Sequence, residues 1–153
     1  MSERIYEAKL NTNVYSILEE NNCNQFKNLV TKIIQGLDLL CQGGIVHSDF
    51  KSENILVEVD EENRCVKSVK IIDFGTSFDF GFVNTKIDIT TPEYLPPEVL
   101  EYIESRKTNL LKRGDSKQSL LNKLSSWSID VWSLGIIVLE MIVGFPVWMS
   151  YKG

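Results

Sequence analysis

Two short segments concentrate the residue types that proton transfer and metal binding require. The first is His47-Ser48-Asp49-Phe50-Lys51-Ser52-Glu53-Asn54, which runs into the apolar Ile55-Leu56-Val57. In it, Asp49 and Asn54 stand five positions apart with Lys51 between them. The second is Asp73-Phe74-Gly75, delivered by the strand-like Val69-Lys70-Ile71-Ile72. A carboxylate can take a proton from a hydroxyl, and carboxylate and amide oxygens are hard donors suited to magnesium. An ammonium group can stabilise developing negative charge. Each residue also has a plainer reading when taken alone: Asp49 as a loop aspartate that caps a turn, Asp73 as a type I turn residue before Gly75.

The elements that must position these residues are legible from apolar spacing. Phe26, Leu29, Val30, Ile33, Ile34, Leu37, Leu40 and Cys41 recur at helical spacing and predict a helix over Asn24 to Gly43, ended by Gly43-Gly44. A shorter helix is expected over Val14 to Glu20, after the cap-like Asn11-Thr12-Asn13. Ile55 to Val59 and Val66 to Ile72 read as two strands joined by the polar turn Asp60 to Arg64, a hairpin. Gly75 to Leu95 reads as a long loop. Pro96-Pro97-Glu98 opens a further helix, with proline in the first turn and an acid near the positive end. Residues 101–127 hold six basic residues against three acidic ones and read as a solvated insert, or as a docking surface for an acidic partner. Ser126 or Ser128 caps a last helix that runs to about Val143.

Composition sets outer bounds. The chain has 153 residues, 43% hydrophobic and 24% charged, with net charge −5. That fits one globular domain and argues against a disordered tail or a nucleic-acid binder. Cys23, Cys41 and Cys65 are odd in number and lack Cys-x-x-Cys spacing, so neither a zinc site nor a disulfide framework is supported. The expected compartment is reducing: the cytoplasm, with the nucleus as the alternative. The first ten residues lack the apolar stretch of a signal peptide. Val131 to Met149 carries Glu140 as its lone charge and is long enough to suggest a membrane span. A mid-run acid, Gly135, Gly144 and Pro146 favour a buried core helix instead.

Together, in this order, the two reactive segments resemble the catalytic loop and the metal-binding loop of the eukaryotic protein kinase family. Thr91-Pro92-Glu93-Tyr94-Leu95-Pro96-Pro97-Glu98 resembles the end of that family's activation segment. Ser128-Ile129-Asp130-Val131-Trp132-Ser133-Leu134-Gly135 resembles the start of its buried F helix, whose aspartate braces the catalytic loop. The implied fold is mainly α with a small β-hairpin (α+β): a kinase-like large lobe truncated at both ends. On this reading residues 1–12 are hinge and 13–153 are large lobe through helix F, including helices D and E and the insert at about 101–127.

The resemblance also implies roles. Asp49, Lys51 and Thr91 would be catalytic: Asp49 as the acceptor of the substrate hydroxyl proton, Lys51 on the transferred phosphate, and Thr91 bonded to the base. Lys51, Glu53, Asn54, Leu56 and Asp73 would bind ATP, with Asn54 and Asp73 holding Mg2+. Lys51 follows the serine/threonine pattern. A protein substrate is implied, with no nucleic acid or membrane partner. His47 and Asp130 would be structural, and Trp132 and Trp148 core aromatics. Glu98 would pair with an arginine beyond this chain, where the missing small lobe or a partner protein would also come from.

Two departures stand out. Ser48 replaces the arginine that receives an activation-segment phosphate, and Ser52 replaces a common proline, a mild change. Trp127-Ser128-Ile129-Asp130 resembles the DYRK-like branch, whereas Thr91-Pro92-Glu93-Tyr94 resembles other branches, so no subfamily follows. The alternatives to a serine/threonine kinase are a non-catalytic kinase-like module and, least favoured, a membrane-anchored chain.

Overall fold

Helix α1 (Thr12–Gln42) is the longest element and the support for the rest. It is continuous where two helices are expected, because nothing between Glu20 and Asn24 breaks a helix. Asn21 and Asn22 each disfavour one by only about 0.7 kcal/mol, whereas proline would disfavour it by about 3. The computed structural model describes residues 2–4, 12–60, 62–81, 91–107 and 127–143. Most of the expected hinge, the loop at 82–90, the insert from 108 to 126 and the apolar run from 144 lie outside them, as does Trp148. Gly43 and Gly44 end α1 as expected, with the Gly44 amide donating to the Cys41 carbonyl at 3.0 Å and Gly44 at φ +68°.

The chain then alternates short strands with loops. β1 (Ser2–Arg4), β3 (Ile55–Asp60) and β4 (Cys65–Ile71) form one antiparallel sheet with β3 central. The expected hairpin is therefore present as β3–β4, and β1 adds a third strand, with Arg4 opposite Leu56. β2 (Ile45–Val46) and β5 (Phe78–Asp79) form a second, two-stranded sheet, and β5 lies inside the expected long loop. Asp60 shapes the hairpin turn by accepting hydrogen bonds from the Asn63 amide and side chain at 3.0 and 2.8 Å.

α1 lies close against β4 at Gly36, where an added Cβ would sit 2.9 Å from the Ile71 Cδ1 and would push that side-chain end aside. Side-chain amides complete the contact. Asn28 donates to the Val66 carbonyl at 3.2 Å, and Gln25 accepts the Val66 amide at 3.0 Å.

Helices α2 (Pro97–Lys107) and α3 (Ser128–Val143) close the described structure. The main core joins Leu29, Ile33 and Leu37 of α1 to Ile55, Val57 and Val66 of the hairpin and to Leu134, Ile137 and Met141 of α3. A second cluster joins Val46, Phe78, Leu95, Val99 and Ile129. Two expectations need correction. Ile34 is exposed beside the core stripe of α1, because the stripe is narrower than the apolar pattern. Helix α3 is buried on one side only, and Trp132 stands with Val131, Leu139, Ile142 and Val143 on an outward face. No described helix is long and apolar enough to cross a membrane.

This packing separates neighbours in sequence. Ile33 has no exposed surface, so Ile33→Ala should lower stability by about 2–5 kcal/mol. Leu39 is 69% exposed, and Leu39→Ala should stay within about 0.5 kcal/mol. Urea midpoints of the two variants check the contrast.

Candidate active site

The loop after β2 is held by a carboxylate from another element. Asp130, in the first turn of α3, accepts the His47 amide at 2.8 Å on Oδ2 and the Ser48 amide at 3.1 Å on Oδ1. With both oxygens engaged it braces the loop, as expected of it. Burial pushes its carboxyl above the usual range, and the two amide bonds pull the other way. Ser48 takes a left-handed φ of 62°, which a residue with a Cβ adopts only when its surroundings impose it. Here the imposed bonds run from both of its donors.

His47 is fully buried and structural. Its Nε2 lies 3.0 Å from the Ile72 carbonyl. A carbonyl only accepts, so Nε2 carries the proton. The ring meets Phe50 edge-on at 5.7 Å and Phe74 at 4.9 Å. It thereby links the loop at 47–54 to Asp73-Phe74-Gly75. Hydroxyl groups add a seam between the same segments. Ser48 Oγ donates to the Thr76 carbonyl at 2.7 Å, and Ser77 Oγ to the His47 carbonyl at 3.2 Å. The serine that stands in place of an arginine therefore spends its hydroxyl on a neutral carbonyl.

Asp49, Lys51, Thr91 and Asn54 converge. Lys51 Nζ donates to Asp49 Oδ2 at 2.7 Å and to Thr91 Oγ1 at 3.0 Å. Thr91 Oγ1 donates to Asp49 Oδ1 at 2.7 Å. Asn54 Nδ2 donates to the Asp49 carbonyl at 2.9 Å and to its Oδ2 at 3.3 Å. Asp49 is buried, with only 8% of its surface exposed. A buried carboxylate of this kind requires the cation and the donors that surround it. The single-turn helix Ser52–Asn54 sets the spacing: the Asn54 amide closes onto the Lys51 carbonyl at 3.0 Å, and its own carbonyl accepts the Ile72 amide at 2.9 Å. That last bond fixes where the strand ends and Asp73 begins.

Asp73 is exposed and left-handed, at φ 64°. Its Oδ1 accepts the Gly75 amide at 3.4 Å. Because Asn54 commits its NH2 group to Asp49, its amide oxygen is the atom left for another partner. A carboxylate and an amide oxygen fit magnesium as a donor set. Glu53 is half-buried and accepts the Ser52 hydroxyl at 3.2 Å. Leu56 is half-buried on the face of β3 opposite Ile55 and Val57, outside both core clusters.

Sequence reasoning missed Tyr94 and Glu140. Tyr94 OH donates to Glu140 Oε1 at 2.9 Å, and Ser133 Oγ donates to the Tyr94 carbonyl at 2.8 Å. The signal was the lone charge in the apolar run, which is a buried partner rather than only an argument against a membrane span. Burial is also the main influence that pushes the Tyr94 phenol far up.

The Asp130 shift has a testable sign. Its folded-state carboxyl holds a proton more firmly than the unfolded chain does, so its stabilising contribution is full below the ordinary value of 3.8 and is lost as pH rises through the raised value. Asp130→Asn removes this dependence. The destabilisation caused by the substitution should be larger near pH 3.8 than near neutrality, as read from paired urea titrations.

Comparison with known proteins agrees with this geometry. The family model of the protein kinase domain matches residues 3–153. The chain is 31% identical over 144 residues to dual specificity tyrosine-phosphorylation-regulated kinase 2 of Drosophila melanogaster, covering 91% of this chain and 16% of that protein. It is 31% identical over 161 residues to MAP kinase-interacting serine/threonine-protein kinase 1 of Xenopus laevis, covering 97% and 34%. A probable myosin light chain kinase of Dictyostelium discoideum is 33% identical over 132 residues, covering 84% and 28%. The chain thus spans between 16% and 34% of the length of these relatives. With the matched domain and these similarities in place, the chain belongs to the eukaryotic protein kinase family.

Proposed function

We propose that this chain carries the catalytic and metal-binding loops of a serine/threonine protein kinase, which moves the γ-phosphate of ATP to a protein hydroxyl. We further propose that it is the part of the large lobe from the hinge to helix F. The observation that carries the reading is the convergence of Lys51 and Thr91 on the two oxygens of Asp49. A carboxylate held on both sides in this way keeps one orientation toward an incoming hydroxyl.

In this mechanism the substrate hydroxyl oxygen forms a bond to the γ-phosphorus and the bond to the ADP oxygen breaks. Asp49 orients the hydroxyl and takes its proton. Lys51 has three ammonium donors, and two are engaged by Asp49 and Thr91. The third is available to a phosphate oxygen, where it offsets developing charge. Thr91 keeps Asp49 and Lys51 in register. Asn54 and Asp73 would hold Mg2+, which supplies charge neutralisation on the triphosphate when bound. Glu53 and Leu56 complete the nucleotide-facing set, Leu56 through its apolar surface.

Assays on the full-length protein test the reading. Asp49→Asn keeps the size of the side chain and one accepting oxygen but removes the proton acceptor, so turnover should fall roughly 10²–10⁴-fold. Asp130→Asn should lower both melting temperature and rate, since bonds to a charged group are worth about 1.5–3 kcal/mol each. Phosphoamino acid analysis of the product should give phosphoserine and phosphothreonine. An Asp49→Asn protein with undiminished rate rejects the mechanism, and phosphotyrosine as the sole product rejects the serine/threonine assignment.

A further inference from the structure

Ser52 has only 2% of its surface exposed, and no role above uses its hydroxyl. That hydroxyl lies 3.2 Å from Glu53 Oε2 and 3.4 Å from Tyr94 OH. The Tyr94 proton goes to Glu140, a carboxylate with no exposed surface. Ser52 must therefore be the donor in its bond to Tyr94. Its one proton faces two acceptors, and both distances are at the long end, as in a three-centre bond. The result is a directed line, Ser52 to Tyr94 to Glu140, joining three elements. A proline at position 52, the residue expected from the resemblance, has no hydroxyl and could not start it.

The line repeats a contact already described. Ser52 follows Lys51 and opens the turn that carries Asn54; Tyr94 closes the turn that follows Thr91. The two segments meet once at Asp49, through Lys51 and Thr91, and a second time through Ser52 and Tyr94. Two contacts between the same segments fix their spacing, where one would leave them free to pivot.

We infer that Ser52 is a positioning residue: its hydroxyl, acting through Tyr94, sets the Lys51–Asn54 turn against the Thr91 turn. This rests on the proposed kinase reading of Asp49, Lys51 and Thr91. The hydroxyl touches no reacting atom. It acts on the distance between groups that do.

Amide hydrogen exchange on the full-length protein tests the inference without nucleotide. The informative amides are Asn54, which closes onto the Lys51 carbonyl, and Tyr94 and Leu95, which close onto Thr91 and Pro92. Ser52→Ala should speed exchange at all three by roughly three- to tenfold, the effect of one lost hydrogen bond. Amides in β3 and α3 should keep their rates. Ser52→Thr retains the hydroxyl and should restore protection. Tyr94→Phe leaves Ser52 in place and should speed Asn54, a residue it does not adjoin in sequence. The double variant should exchange no faster than Tyr94→Phe alone. The inference is overturned if Ser52→Ala affects Asn54 only, if Tyr94→Phe leaves Asn54 unchanged, or if the two effects add. Tyr94→Phe decides the matter even where Ser52→Ala fails to fold. Coupled exchange in a protein that transfers no phosphate would reject the kinase reading alone. Phosphate transfer without coupled exchange would reject this inference alone.

Discussion

The two amide bonds that Asp130 accepts from His47 and Ser48 are the constraint on which the site depends. They join the start of α3 to a loop more than eighty positions earlier in the chain. Without them the left-handed turn at Ser48 would have no reason to persist, and Asp49 would not face Lys51 and Thr91. The arrangement is conditional on burial. A carboxylate in contact with water would gain little from these bonds, and a buried one without them would be strongly destabilising. Asp130 has only 4% of its surface exposed, so the packing that covers it belongs to the same device as the carboxylate.

Strain and charge are placed beside each other at the reactive cluster. Ser48 and Asp73 are both left-handed, and both stand at the entrance to a reactive segment. Each is held by bonds outside its own segment: Ser48 by Asp130, and the approach to Asp73 by the Ile72 amide and by His47. Two loops from separate parts of the chain thus present their acids at fixed positions, although neither acid lies within a helix or strand. Tyr94 and Glu140 extend the same logic to the Thr91 turn.

Much of this was legible in residue order. The hairpin, the proline-started helix α2, the glycine stop of α1 and the last helix all follow local rules about periodicity and turn chemistry. Asp49, Lys51 and Asn54 are close neighbours in the chain, but Thr91 approaches Asp49 from 42 positions away, a contact implied only by the family resemblance. Less was visible where the outcome depends on distant packing. The β2–β5 pairing uses two-residue strands too short to show alternation. Continuity of α1 through Asn21 and Asn22 was also hidden, since their weak local preference against a helix falls short of a break. The outward face of α3 was hidden by its uniform apolarity, which carries no information about which side is covered. Glu140 stood out in sequence, but its partner lies 46 positions away.

The contact between α1 and Val66 has a consequence for association. Both backbone groups of Val66 that point away from β3 are occupied by Gln25 and Asn28. A foreign strand arriving beside β4 would need those same groups to begin its ladder. The sheet is therefore sealed on that flank at its first residues, and strand-by-strand polymerisation cannot start there without displacing two amide side chains.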